Sequence, residues 1–368
     1  MIAALLAGLY VAWTIGANDA PNAIAPAVAA GALPFWWALL LAAVCEALGA
    51  AVAGVPVSTT LTRRLIDLRA VDPSDAALGM ISALVASGVW LHAGLLLRVP
   101  VSTTQSVVGG LVGATLGLSG GAKVAWWSVA QVAVAWVLAP ALAALLAYGL
   151  LRVARHAVRR AGGLAVAVMA AGGAGIGAVV AFQLGASGWA MAGAALSVGL
   201  LTAGVARGRG ASPWQRLHVL SAAYLAFAHG ANDAANAVGP LAVVYGALRG
   251  LAPGATPSIS TPMVLLVVTG IVIGLLTSGY RVIATVGKGI THLTPVSGFT
   301  AVMTAAVVTV AGTGLGVPLS TTHVILGSVL GVGAARGVGA VNLPVLKEVL
   351  VAWALTAPLS ALLAAGLA

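Results

Sequence analysis

Long stretches without charged residues recur along almost the whole chain and limit what it can fold into. They run for roughly 17–25 residues, the length that a tilted helix needs to cross a bilayer. Of the 368 residues, 61% are hydrophobic and 7% are charged, whereas soluble domains carry about 25% charged residues. Membrane-spanning strands would alternate polar and apolar residues, which these stretches do not. We therefore predict an all-α, polytopic protein with about 10–12 membrane segments, located in the cell membrane (inner or plasma membrane).

Two short motifs each occur twice, in the same order and at nearly the same spacing. Gly16–Pro26 recurs as Gly230–Pro240 with eight of eleven positions identical. Val99–Thr104 recurs as Val317–Thr322, and the two offsets are 214 and 218 residues. The chain thus divides into a first repeat (1–150), a connecting helix pair with basic loops (151–215) and a second repeat (216–368).

The net charge of +10 is concentrated in loops, which indicates membrane topology rather than nucleic-acid binding. Basic loops at 152–160 and 207–216 flank two apolar runs, so both face one side, which the positive-inside rule makes cytoplasmic. The loop at 63–75 is neutral, whereas its second-half counterpart contains Arg281 and Lys288. This difference suggests that the two repeats are inverted, as in many secondary transporters.

Each copy of the first motif places two asparagines and an aspartate inside an apolar run. Residues three or four apart would share one face of a continuous helix, whereas the nearby Gly and Pro would break the helix and expose carbonyls. An ionised Asp at the bilayer centre costs roughly 2.5–3.5 kcal/mol, so it needs a partner. Helix caps near the water interface are the structural alternative. The duplicated, oxygen-rich sets favour a hard cation such as sodium; they are Asn18, Asp19 and Asn22, and Asn232, Asp233 and Asn236.

Each copy of the second motif ends in Ser-Thr-Thr, between a proline and a glycine-rich apolar run. Ser and Thr are good N-caps, and the N–H groups at a helix N-terminus form an anion site. Besides capping, we expect six residues to hold a tetrahedral oxyanion: Ser102, Thr103, Thr104, Ser320, Thr321 and Thr322. Two ionised aspartates near a dianion would repel it, so sodium or a proton must accompany the anion, which predicts a symporter.

Three other residues of interest lie outside the duplicated motifs. Glu46 is a carboxylate inside an apolar run and is a candidate cation or proton site; the alternative is a protonated Glu bonded to a neighbouring helix. His229 precedes the second Asn-Asp element, where Ile15 precedes the first. Cys45 is the one cysteine, which excludes an intrachain disulfide and a cysteine-rich metal site.

The paired motifs resemble those of the inorganic phosphate transporter (PiT) family. The resemblance covers nearly the whole chain and includes Ala226–Asp233 and Pro318–His323. It implies two inverted repeats with broken helices and re-entrant hairpins, and import of phosphate with sodium or protons. It places phosphate at the six Ser-Thr-Thr residues, close to Asp19 and Asp233. With Glu46 included, the cation-binding candidates are Asn18, Asp19, Asn22, Asn232, Asp233, Asn236 and Glu46.

One position departs from the family pattern. The family usually has a glutamate in each half; Glu46 matches the first, and Val302 stands at the second. The number of coupling ions is therefore not carried over from the family. The expected partners are inorganic phosphate, sodium or protons, and the lipid bilayer, with no other cofactor and a homodimer as a candidate assembly.

Three other functions fit parts of the pattern. A sulfate permease of the same family would bind a similar oxyanion, although phosphate keeps a proton at neutral pH that Asp19 or Asp233 could accept. A passive anion channel would conduct without regard to sodium or proton gradients. An intramembrane peptidase would use the two aspartates as a dyad, but it needs neither the asparagines nor the duplicated Ser-Thr-Thr runs. We therefore expect a transporter and not an enzyme.

Overall fold

The structure is a computed structural model that describes residues 1–53, 55–97, 99–159, 163–183, 185–207, 211–252, 259–283, 292–337 and 342–368. Lys288, which entered the orientation argument, lies outside the described residues, as do residues 160 and 208–210 of the basic loops. Apart from an isolated bridge between Ile66 and Val124, the described residues form helices, turns and extended connections.

Seven helices form the first half, and a further pair connects it to the six of the second, counted over the described residues. The first-half helices are α1 (Ile2–Asn18), α2 (Ala20–Ala29), α3 (Phe35–Ala53), α4 (Val55–Arg63), α5 (Pro73–Leu97), α6 (Thr103–Ser119) and α7 (Trp126–Arg159). The connecting helices are α8 (Gly163–Gln183) and α9 (Gly188–Arg207). The second-half helices are α10 (Pro213–Asp233), α11 (Ala235–Leu248), α12 (Thr261–Ser278), α13 (Pro295–Gly314), α14 (Thr321–Arg336) and α15 (Leu343–Leu367).

Eight helical stretches of the described chain are long and apolar enough to cross a membrane. This is fewer than the predicted total of about 10–12 segments. One further apolar helix of the described chain, Ala170–Phe182, is shorter, and the hairpin helices α6 and α14 have only 17 and 16 residues. Both α6 and α14 begin at buried residues, as expected for the second arms of re-entrant hairpins. The predicted all-α polytopic fold is therefore confirmed. The predicted repeat boundaries at residues 150 and 215 fall inside α7 and α10, respectively.

The two halves pack as if related by a two-fold axis. Helix α1 packs against α12 of the other half, and its counterpart α10 packs against α3. In the same way α6 packs against α15, and α14 packs against α7. Contacts that recur with the partners exchanged are the mark of two-fold symmetry, and they confirm the two-repeat architecture.

Glycines show which residues of the two halves correspond. A Cβ on Gly109 would lie 2.3 Å from the carbonyl oxygen of Ala357, and a Cβ on Gly327 would lie 2.3 Å from that of Pro140. One turn later, Gly113 and Gly331 make the same kind of backbone contact with Ala361 and Ala144. Close approach of this kind is typical of membrane helices with small residues at their interfaces. Pro140 of α7 is thus the counterpart of Ala357 of α15. This pair determines which other residues of the two helices correspond.

Candidate functional site

Each Asn-Asp element lies where a helix breaks for a single residue. Helix α1 ends at Asn18 and α2 begins at Ala20, which leaves Asp19 at the break. Pro21 contributes to this break because it has no N–H to donate to the preceding turn. In the second half α10 ends at Asp233 and α11 begins at Ala235. The interruption is slight, because the residue at each break keeps right-handed helical angles, φ −102° and ψ −43° at Asp19 and φ −58° and ψ −30° at Ala234. Each motif therefore lies at a local interruption within a nearly continuous helix.

The Ser-Thr-Thr elements lie at the N-termini of α6 and α14, in the interior of the protein. The hydroxyl oxygen of Ser102 accepts a hydrogen bond from the backbone N–H of Gln105 at 3.2 Å. Ser320 accepts one from the N–H of His323 at 3.3 Å. Both serines are therefore N-caps, as their residue type favours. The two tips also touch, because the hydroxyl of Thr104 donates to the carbonyl of Leu319 at 2.9 Å.

Asp19 is bonded to both hairpin tips. Its Oδ2 accepts from the backbone N–H of Thr103 at 3.3 Å, and its Oδ1 accepts from the hydroxyl of Thr322 at 3.2 Å. The side-chain amide of Asn18 donates to Asp19 Oδ1 at 2.5 Å and to the carbonyl of Val101 at 2.9 Å. One carboxylate of the first half thus connects the hairpins of both halves.

Asp233 has similar neighbours and an additional contact with a histidine. Its Oδ1 accepts from the amide of Asn232 at 2.7 Å, and its Oδ2 accepts from the hydroxyl of Thr321 at 3.2 Å. His229 Nε2 lies 2.8 Å from Asp233 Oδ2, and His229 Nδ1 lies 2.8 Å from Glu46 Oε1. Glu46 therefore reaches the site through His229, in a buried Glu-His-Asp chain.

The third residue of each Asn-Asp element contacts the hairpin of the opposite half. The amide of Asn22 donates to the hydroxyl of Thr322, and the amide of Asn236 donates to that of Thr104, each at 3.4 Å. The cation candidates and the phosphate candidates are thus brought together in one cluster. Every one of them is at most 4% exposed.

The two aspartates lie close enough to repel each other. One ligand atom from each of Asp19, His229 and Asp233 can be chosen so that the three lie within 4.8 Å of one another. Two unit charges at that distance repel by about 3.5 kcal/mol at an effective dielectric constant of about 20. The arrangement therefore favours a positive charge close to both carboxylates.

Several oxygens of the site have no hydrogen-bond partner, which fits a cation. They are the amide oxygens of Asn18, Asn22 and Asn236, and the hydroxyl of Thr103. Buried amide oxygens without a donor are costly. Oxygen-only ligand sets of this kind suit hard cations, so these residues are consistent with sodium as a transported ion.

The glycine that opens each Asn-Asp element lets two helices approach closely. A Cβ on Gly230 would lie 2.1 Å from the carbonyl oxygen of Glu46, and one on Gly16 would lie 1.8 Å from that of Ile271. Because Gly16 and Gly230 correspond, the structural counterpart of Glu46 is Ile271 on α12. Val302 is a buried residue of α13, the counterpart of α5. Glu46 and Val302, which were matched to the family's two glutamates, are therefore not equivalent by the symmetry of the fold.

Two residues of the site were not among the sequence candidates. His229 was noticed because it breaks the repeat, but its bridge between Glu46 and Asp233 depends on the packing of α3 against α10. Thr313 donates from its hydroxyl to Asn232 Oδ1 at 3.4 Å. It lies outside both motifs, and its residue type is common in membrane helices, so the sequence carried no signal for it.

Known proteins resemble this chain over nearly its whole length. The model of the "Phosphate transporter family" matches residues 15–364. A relative from Pyrococcus abyssi, provisionally named a phosphate permease, is 36% identical over 99% of this chain and 96% of its own length. "Inorganic phosphate transporter 2-1, chloroplastic" from Arabidopsis thaliana is also 36% identical, over 98% of this chain and 70% of its own.

A solved structure shares the whole fold. It is titled "The sodium-dependent phosphate transporter" and superposes with a TM-score of 0.92 at 31% identity, covering 100% of this chain and 97% of the other. Its match extends through both repeats and the connecting pair. The chain therefore belongs to the phosphate transporter family of multi-pass membrane proteins.

Proposed function

We propose that this protein imports inorganic phosphate by symport with sodium or protons, through the cluster formed by the two broken helices and the two hairpin tips. The observation that carries the proposal is the placement of Asp19 and Asp233. They come from opposite repeats, lie within 4.8 Å of each other, and each accepts a hydrogen bond from a threonine at a hairpin tip. Anion and cation ligands are therefore shared, as coupled transport requires.

Phosphate is assigned to the hairpin tips. Two helix N-termini meet there, and each offers backbone N–H groups and the positive end of its dipole. Thr103, Thr104, Thr321 and Thr322 supply hydroxyls around this point, while Ser102 and Ser320 hold the caps. A phosphate that keeps one proton can donate it to Asp19 or Asp233, which favours phosphate over sulfate.

Cations are assigned to the broken helices. The amide oxygens of Asn18, Asn22 and Asn236 are buried without donors next to the two aspartates. Asn232 completes the set, although its oxygen already accepts from Thr313 at 3.4 Å. Sodium is the first ion to test, because the similar solved structure is titled a sodium-dependent transporter.

The test is uptake of labelled phosphate into proteoliposomes that contain the purified protein. A sodium gradient, a proton gradient or no gradient is imposed, with sulfate as a competitor. We expect accumulation against the phosphate gradient when sodium is imposed, without inhibition by sulfate. Accumulation under a proton gradient alone would name the proton as the coupling ion. Flux that ignores both gradients, or that sulfate blocks, would contradict the proposal.

Two variants connect the uptake to the site. Thr322→Val removes the hydroxyl that donates to Asp19, so we expect a higher KM for phosphate. Thr300→Val is a matched control, because Thr300 is a buried threonine on α13 whose hydroxyl donates to the carbonyl of Val296 in its own helix. If both substitutions changed the KM for phosphate equally, the hairpin tip would have no specific role in uptake.

A further inference from the structure

A second cavity lies next to the transport site, on the axis that relates the two halves. It has a volume of about 500 Å³ and is bounded by α6, α7, α14 and α15. Its walls contain pairs of equivalent residues, Gln105 with His323 and Trp136 with Trp353. The equivalence of the tryptophans follows from that of Pro140 and Ala357, since each lies four residues earlier. We name this space the axial cavity.

Three polar side-chain atoms of its walls have no hydrogen-bond partner. They are the amide oxygen of Gln105, the Nε2 of His323 and the indole N–H of Trp353. The three residues are only 7%, 3% and 9% exposed, respectively. Buried polar groups are almost always satisfied in native proteins. The set contains one acceptor, one donor and one imidazole nitrogen that can be either, which matches a ligand group that both donates and accepts.

The two tryptophans differ in whether their indole N–H has a hydrogen-bond partner. The indole N–H of Trp136 donates to the carbonyl of Pro318 at 3.2 Å. Trp353 has no such bond, and its ring instead stacks on His323 with the ring centroids 3.5 Å apart. His323 Nδ1 in turn lies 3.2 Å from the carbonyl of Trp136. The open donor therefore lies on one side of the axis.

The cavity reaches the protein surface between two helices that face outward. Only 22% of the spanning stretch is buried in each of α7 and α15. Among the lining residues, Val137 is 68% exposed and Leu350 is 50% exposed. This apolar surface belongs to two helices that are long and apolar enough to span a membrane, so a ligand that fits it has an apolar body and would enter from the bilayer. Asp, Glu, Lys and Arg are absent from the described lining, so the walls offer no fixed counter-charge and suit a neutral polar group.

A ligand in the axial cavity would also touch the wall of the transport site. Trp353 lines a smaller cavity of about 20 Å³ on its other side, together with Asn22 and Thr322. His323 directly follows Thr322 in the hairpin. Transporters built from two repeats alternate between arrangements of those repeats. A ligand bonded to Trp353 and His323 would stabilise one of these arrangements of the repeats over the other.

We propose that the axial cavity binds an uncharged, single-chain amphiphile with a hydroxyl head, which enters from the bilayer and inhibits transport. The head bonds to Gln105, His323 and Trp353, and the chain lies between α7 and α15. The volume is within the range of about 300–1,000 Å³ that is usual for small-molecule sites. The binding is independent of the proposed function, whereas the inhibition rests on it.

Photolabelling tests the binding. The full-length protein in lipid nanodiscs is irradiated with a long-chain monoacylglycerol that carries a diazirine, and the labelled peptides are identified by mass spectrometry. We expect label at 133–144 and 346–354, which excess unlabelled monoacylglycerol displaces. Trp353→Phe should weaken competition about tenfold, as expected for one lost hydrogen bond. Label spread evenly over all outward helix faces would overturn the proposal.

Matched variants separate the cavity from general membrane partitioning. Ala141→Phe and Ala354→Phe place a ring in the axial cavity and should abolish the specific label. Ala130→Phe adds the same ring to an exposed alanine of α7 outside the cavity and should leave the label intact. Equal labelling of all three variants would refute the site.

Phosphate uptake tests the inhibition. We expect the monoacylglycerol to inhibit the parent and Ala130→Phe, but not Ala354→Phe, with each variant compared to its own uptake without the probe. Specific labelling without inhibition of an active parent would overturn the inhibitory role. If the parent takes up no phosphate under any gradient, the proposed function fails, and the labelling still decides whether the cavity binds the amphiphile.

Discussion

Under the proposed sodium symport, replacing Asp19 with asparagine should greatly lower the apparent affinity of phosphate uptake for sodium. The carboxylates of Asp19 and Asp233 lie within 4.8 Å of each other. Unit charges 4.8 Å apart interact by about 3.5 kcal/mol at an effective dielectric constant of about 20, and we take this as the order of magnitude of the attraction between a bound sodium ion and one carboxylate. Asparagine keeps an oxygen ligand and removes the charge. The sodium concentration for half-maximal uptake should therefore rise by up to about 300-fold.

The assay is a sodium titration of the initial rate of uptake in proteoliposomes, with choline replacing sodium to hold the ionic strength. In sodium-free buffer, Asp19→Asn should also unfold at a higher temperature, because the substitution relieves the repulsion between two buried carboxylates. Asp72→Asn is the control, since it removes the same charge from an exposed loop position. A sodium titration of Asp19→Asn that overlays the parent would refute the electrostatic reasoning.

Two further substitutions test the contacts between helices and between hairpins. Gly230→Ala places a Cβ 2.1 Å from the carbonyl oxygen of Glu46, so overpacking should cost about 1–3 kcal/mol and lower the unfolding temperature. Gly193→Ala, whose Cβ would meet nothing within 4 Å, should leave it unchanged or slightly higher; equal melting of both variants would contradict the close approach. Thr104→Val removes the buried donor to the Leu319 carbonyl at a cost of about 1–3 kcal/mol, and should raise the KM for phosphate. An unchanged KM would show that contact between the tips is not needed for binding.

Most of the candidate site could be predicted from the sequence because both of its motifs recur in the second repeat, a few hundred residues further along the chain. A single Asn-Asp element is ambiguous between a cap and a ligand set, whereas two copies in equivalent places are difficult to explain as caps. The Ser-Thr-Thr elements were predicted as N-caps, and Ser102 and Ser320 accept the expected backbone hydrogen bonds. Their roles in binding phosphate stay predictions.

Motif matching alone did not identify which residue of the second half is equivalent to Glu46. Val302 was assigned from its local sequence context, but the equivalence of two positions depends on which helices pack together. The contacts of Gly16 and Gly230 pair Glu46 with Ile271. A hydrophobic residue in one helix and a glutamate in the other leave no sequence trace of that correspondence.

The membrane-embedded helical class, the two repeats and the candidate ion ligands follow from composition and local chemistry, which can be read along the chain. Packing between distant helices is needed to show that Asp19 and Asp233 lie within 4.8 Å of each other, that Glu46 reaches Asp233 through His229, and that a cavity opens beside Trp353. Each of these depends on packing between helices far apart in the chain, and apolar membrane helices carry little information in their sequence about which neighbour they choose.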